Sequence, residues 1–266
     1  MRILVAINSC VKDIINQANQ SMRDTWLPDL KKYNIDYKFF IGNGKLIETP
    51  SPQFETSWAA LAKINVWKNN LHNEELGLPE GLTLKDDEIC LNVPDGYKYL
   101  PFKTKESLIY AAEKGYDYVF RVFTDTYVHV NRLVRSGFEH YDYVGSLVDN
   151  DLGKYAGGGC GYWLSEKAYK LVLTEPITCW AEDAWIGGIM VKNEIPLHND
   201  YRYDNQNNPK ITYFITKHLV FHWQNKGNIG EKMKILHQAN ADLPFKSSKV
   251  YNHMTSPQLQ GKLSIL

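Results

Sequence analysis

Tyr116 to Phe123 is the segment that most limits what this chain can fold into. It reads Tyr-Asp-Tyr-Val-Phe-Arg-Val-Phe and runs straight into the polar Thr124-Asp125-Thr126. β-branched and aromatic side chains fit a pleated surface packed by neighbours, so the run predicts a buried central strand with a polar tip. Arg2–Ile7 and Ile35–Ile41 are apolar runs of the same kind. Strands that read as near-continuous apolar runs belong to parallel sheets covered by helices on both faces. The expected fold class is therefore α/β, a mostly parallel central sheet flanked by helices. At 266 residues the chain lies at the upper edge of what one hydrophobic core supports, so one domain over 1–240 is expected, followed by a tail over 241–266.

The remaining pattern alternates in the way βα units do. A helix ending near Pro28 is expected between the first two strands. Trp58, Leu61, Ile64 and Trp67 recur at helical spacing over Ser57–Leu71, with Ser57 placed to cap. Glu88–Val93 and Tyr141–Val148 read as strands, and Thr104–Lys114, Ser165–Leu173 and Glu182–Asn193 as helices. Tyr213–Trp223 reads as a late strand and Asn228–Asn240 as a helix.

Lys plus Arg number 30 and Asp plus Glu number 30, so no global field draws the chain to nucleic acid or anionic lipid. Hydrophobic residues at 44% allow enough apolar burial to offset the ordering entropy, which excludes a disordered class. Cys10, Cys90, Cys160 and Cys179 form no CxxC pair, which fits a reducing compartment. Met1–Ile7 reads as a first strand rather than a signal peptide, and no stretch reaches the ~20 apolar residues that span a bilayer. A soluble, cytoplasmic chain is expected.

Four constellations carry chemistry. In open α/β sheets ligands bind at the carboxyl ends of strands, which places Asp125 to meet a metal ion and phosphate oxygens. A turn or capping aspartate is the alternative. Ala156–Gly161 is glycine-dense, either the floor of a pocket that a ligand approaches closely or a plain turn. Glu182-Asp183 at a helix start either complements the helix dipole or supplies a general base. His218 and His222 share one side of a strand about 13 Å apart, so only one of them can join Asp125 at a single ion.

In this order the segments resemble the beta-1,3-glycosyltransferases of glycosyltransferase family 31, which include the Fringe and core 1 galactosyltransferase branches. Arg23-Asp24-Thr25-Trp26 is similar to the family's Arg-x-Thr-Trp element, and Asp95 to Thr104 to its Asp-x-Tyr-x-Asn-Leu-Thr-Leu-Lys-Thr stretch. Arg121–Leu133 resembles the strand with the Asp-Asp-Asp motif, Gly158–Ser165 the Gly-Gly-x-Gly-Tyr-x-Leu-Ser element, and Glu182–Gly187 the Glu-Asp-x-x-x-Gly element. Phe221-His222-Trp223 is similar to the late segment that holds a metal-binding histidine.

The resemblance implies a GT-A fold, a UDP-sugar donor, a glycan or glycoconjugate acceptor, and manganese (Mg2+ as the alternative ion). It also implies inversion at the anomeric carbon. Carried over by position, Asp125 and His222 hold the metal, Asp183 is the catalytic base, and Lys103, Arg121, Thr124 and Gly158 surround the donor. Two departures stand out. The three aspartates of the motif are here Phe123-Thr124-Asp125, and the membrane anchor of Golgi members is not seen, which fits a soluble enzyme of viral or bacterial kind. A non-catalytic sugar- or nucleotide-binding relative is the alternative, and Trp185 and Tyr162 are candidates either for stacking on a sugar or for the core.

Overall fold

A computed structural model describes residues 1–43, 78–204, 213–219 and 229–241. In chain order the strands are β1 (Ile3–Asn8), β2 (Asp36–Gly42), β3 (Glu88–Leu91), β4 (Tyr118–Phe123), β5 (Thr126–Val128), β6 (Tyr143–Gly145), β7 (Leu147–Asn150), β8 (Gly153–Ala156), β9 (Tyr162–Ser165), β10 (His198–Asn199), β11 (Tyr203–Asp204) and β12 (Thr216–His218). Seven of them form the central sheet in the order β10-β6-β9-β4-β1-β2-β3. Only β9 runs antiparallel to its neighbours, β4 and β6; the other four pairings are parallel. The α/β class with a mostly parallel sheet flanked by helices is thus what the structure has.

The apolar runs are continuous because both sheet faces are covered. Ile3, Val5, Ile7, Phe120 and Val122 pack on one face against Met22, Trp26, Leu27 and Met233. Leu4, Ala6 and Val119 pack on the other against Leu108 and Ala111 of the Leu100–Lys114 helix and Ile186 and Ile189 of the Glu182–Lys192 helix. The connection from β1 to β2 lies on the first face and that from β3 to β4 on the second. The carboxyl ends of β1 and β4 therefore flank the point where strand order reverses, the crevice where open α/β sheets take ligands.

Several expected elements differ in detail. The helix before Pro28 is three short helices, Val11–Ile15, Ala18–Arg23 and Leu27–Leu30, interrupted at Gln17, whose φ is +61°. Pro28 lies in the first turn of the third, where its missing N–H costs nothing. Tyr141–Val148 divides into β6 and β7 because the chain leaves the central sheet at Ser146 to form the β7–β8 hairpin. Of the late strand, β12 is described; the expected Ser57–Leu71 helix, His222 and the tail lie outside the described residues. No helix among the described residues is long and apolar enough to cross a membrane.

Candidate functional site

The site begins where β4 ends. Past Phe123 the chain turns on Thr124 and Asp125 and returns as β5, which pairs antiparallel with β12. The Thr124 hydroxyl donates to Asp13 Oδ2 at 2.9 Å, linking the β4 tip to the helix that follows β1 across the reversal point. Leu219 N–H donates to the Asp125 carbonyl, and the register sets His218 opposite Thr126. His218 Nε2 consequently stands 3.4 Å from Asp125 Oδ2. The histidine brought to Asp125 among the described residues is therefore His218.

The Thr126 hydroxyl donates to the Gly159 carbonyl at 2.6 Å and so fastens the tip to the Gly158–Cys160 turn. On its other side that turn meets Asp183. Gly158 N–H donates to Asp183 Oδ2 at 2.9 Å, and Ala184 N–H donates to Asp183 Oδ1 at 3.0 Å. Gly158 fits here because a Cβ would lie 3.0 Å from Arg121 Nη1 and 3.2 Å from Asp183 Oδ2. One glycine turn thus bonds both Thr126, the neighbour of Asp125, and Asp183. Burial pushes the Asp183 carboxyl up from the usual carboxylate range, opposed by the Gly158 N–H and the Arg121 charge. Asp183 as a residue is half-buried.

Arg121 is fully buried on the strand face covered by the Glu182–Lys192 helix. Its Nη1 donates to the Gly158 carbonyl at 3.0 Å, and its Nη2 lies 2.8 Å from Glu182 Oε2 as an ion pair without the alignment of a hydrogen bond. The Phe123 ring stacks on the guanidinium at 3.6 Å, so the aromatic residue at the first motif position covers a buried cation. Glu182 is buried too and accepts from the Tyr162 hydroxyl. Burial pushes its carboxyl up and Arg121 pulls it back. Trp185 and Tyr162, candidates for sugar stacking, are both core residues.

Lys103 serves a different junction. Its Nζ donates to Asp95 Oδ1 at 2.7 Å and to the Ser9 carbonyl at 2.8 Å, with both side chains almost wholly buried. Asp95 also accepts from the N–H groups of Val11 and Gly42, which ties the ends of β1 and β2 to the Leu100–Lys114 helix. Arg23 likewise clamps Asp87 and Glu88 beside β3.

Tyr97 is the site residue that pattern reading passed over. Its phenol is pushed up by burial and by the nearby charges of Asp183, Glu182 and Asp125, which places it in electrostatic reach of both carboxylate centres. Its ring lies 6.2 Å from that of Trp180. Sequence signalled it only as the tyrosine two residues after Asp95.

No protein-family model matches the chain, and no curated protein matches it. Among solved structures, A197 from STIV is similar over 74% of this chain and 80% of its own, with a TM-score of 0.32 and 11% identity. A glycosyltransferase involved in the glycosylation of the major capsid of PBCV-1 is similar over 88% of this chain and 100% of its own, with a TM-score of 0.46 and 10% identity.

Proposed function

We propose that the protein is an inverting glycosyltransferase of the GT-A type that moves a sugar from a UDP-sugar to a hydroxyl of a glycan or glycoconjugate. The observation that carries this reading is the Gly158–Cys160 turn, whose Gly159 carbonyl holds Thr126 beside Asp125 and whose Gly158 N–H holds Asp183. The order of motifs that resembles family 31 supports it.

In this reading Asp183 is the base. Its oxygens accept the backbone N–H groups of Gly158 and Ala184, which fixes the carboxylate while its remaining lone-pair capacity serves an acceptor hydroxyl. Its upward displacement brings its proton affinity closer to that needed at neutral pH. As Asp183 takes the proton, the acceptor oxygen bonds to the anomeric carbon from the side opposite the diphosphate. The bond to the diphosphate breaks with its electron pair in one in-line displacement, which inverts the centre.

Asp125 and His218 offer an oxygen and a nitrogen donor side by side, a set that suits manganese, and no group of three or more metal-ligating side chains forms among the described residues. A divalent ion held there, with diphosphate oxygens completing its shell, would supply positive charge to the leaving group. In this reading Thr124 and Gly158, on the β4 tip and the glycine turn, border the donor through the positions the family resemblance gives them.

The test is donor turnover with each nucleotide sugar, together with thermal shifts. UDP with manganese should raise the melting temperature more than either alone, and Asp125→Asn or His218→Ala should abolish the excess. Asp183→Asn should lower transfer at least ~100-fold while UDP binding persists. Turnover of no nucleotide sugar, with manganese and UDP acting independently, overturns the reading. The non-catalytic alternative is favoured by Phe123 standing where the family has an acid, and it predicts UDP binding without turnover.

A further inference from the structure

The mechanism above uses Asp183 and leaves unexplained the most deeply buried charges near it. Arg121, Glu182, Asp183 and Gly158 form a closed ring. Arg121 Nη2 faces Glu182 Oε2, Glu182 precedes Asp183 at the helix start, Asp183 Oδ2 accepts from Gly158 N–H, and the Gly158 carbonyl accepts from Arg121 Nη1. β4, the glycine turn and the Glu182–Lys192 helix are joined through it. Burying two charges costs about as much as their attraction returns, so stability alone does not account for the pair. With 0% exposure, Arg121 acts through its protein partners, the Gly158 carbonyl among them.

We propose that Arg121 and Glu182 are positioning residues for Asp183: Glu182 holds the guanidinium, the guanidinium holds the Gly158 carbonyl, and the Gly158 N–H is thereby aimed at Asp183 Oδ2. Arg121 favours the ionised Asp183 carboxylate, and the like charges of Asp183 and Glu182 oppose each other's ionisation. The other titratable groups near Asp183 are the phenols of Tyr97, Tyr143 and Tyr155 and the thiols of Cys160 and Cys179. Burial displaces all five upward, so they stay neutral across the range in which a carboxyl titrates. Arg121 and Glu182 are therefore the charges that can be varied.

This inference rests on Asp183 being the base, and its test has a readout that does not. The Asp183 carboxyl is titrated by carbon NMR in full-length protein labelled at aspartate, with Asp183→Asn for assignment, beside the pH profile of transfer. Glu182→Gln keeps the shape and the acceptor for Tyr162 but leaves the Arg121 charge unopposed, so the Asp183 midpoint should fall by about one pH unit, and the acid limb of transfer with it. Adding Arg121→Met to Glu182→Gln removes that charge and the hold on Gly158, and the midpoint should rise above that of wild type. Arg121→Lys keeps the charge without the two-armed grip, so it should lower kcat with little movement of the midpoint, and it serves if the double variant fails to fold. The proposal is overturned if the Asp183 midpoint is unmoved in Glu182→Gln, or if Arg121→Lys transfers at the wild-type rate. Opposite NMR shifts in a protein that transfers nothing would keep the positioning ring and remove the glycosyltransferase reading instead.

Discussion

Replacing Lys103 by Met separates two roles for a buried lysine beside the point where strand order reverses. The Lys103 and Asp95 side chains are 2% and 4% exposed, with Nζ 2.7 Å from Oδ1. Removing one partner of such a pair costs roughly 3–5 kcal/mol, because the other is left charged in a poor solvent. Here Asp95 retains the N–H groups of Val11 and Gly42, and burial already pushes its carboxyl up, so it can take a proton and relieve part of the penalty. The lower end of the range, about 3 kcal/mol, is therefore expected, and Met preserves the packing of the aliphatic stem. For a chain of this size about 1 kcal/mol moves Tm by roughly 2–4 °C, which gives a fall of about 6–12 °C. The assay is thermal unfolding of Lys103→Met, of Asp95→Asn and of the double variant, with UDP affinity measured by calorimetry on each preparation. The double variant should cost less than the sum of the single ones, since the pair couples. UDP affinity of folded Lys103→Met should stay within about threefold of wild type, well under the tenfold that ~1.4 kcal/mol represents. An unchanged Tm with UDP binding weakened tenfold or more would refute the reasoning and put the ammonium on the donor phosphates.

Two further outcomes follow from close contacts and burial. Gly187→Ala would set a Cβ 2.3 Å from Tyr155 Cβ and 3.0 Å from its Cα, so the Glu182–Lys192 helix must lift off β8 at a cost of about 1–3 kcal/mol, whereas Gly188→Ala, with open space around it, should be neutral or stabilising; urea unfolding of the two compares them directly. Burial, with Arg132 beside it, holds the His129 imidazole down to about 4, so between the ordinary value near ~6.5 and pH 4 the unfolded chain binds the proton that the folded one refuses. Stability should therefore fall as pH drops through that window, and His129→Gln should flatten the slope; an equal slope in the variant would assign it to other groups.

The central strands were legible because burial on both faces writes itself into sequence as uninterrupted apolar runs: β1, β2 and β4 stand where those runs do. Turn chemistry was harder to read. Gln17 adopts a left-handed conformation that glycine or asparagine would have advertised, so the break between the first two short helices carried no signal. Chemistry-bearing residues could be picked out in the sequence by type and position, but not their partners. A lysine or arginine near a strand end reads the same whether it faces a phosphate or a buried carboxylate. Lys103 finds Asp95 and Arg121 finds Glu182 only once the tertiary fold sets them together. For Asp183 the helix-start reading is realised, since one oxygen accepts from the N–H of Ala184 in its own first turn, while the other accepts from the glycine turn, a partner that sequence did not signal.

The glycine turn explains why these partners meet at all. Gly161 has φ +83°, and a Cβ there would lie 2.6 Å from the Phe120 ring and 2.9 Å from the Arg121 carbonyl. With hydrogen in its place the chain passes flush against β4 and enters β9 with Tyr162 opposite Arg121. That register puts the Tyr162 hydroxyl on Glu182 on the same face as the guanidinium. The turn just before it then presents the Gly159 carbonyl to Thr126, next to Asp125, and the Gly158 amide to Asp183. One residue type at two positions therefore helps fix the antiparallel strand, the buried ion pair and the orientation of Asp183, so a side chain at Gly161 should disturb Asp183 although the two never touch.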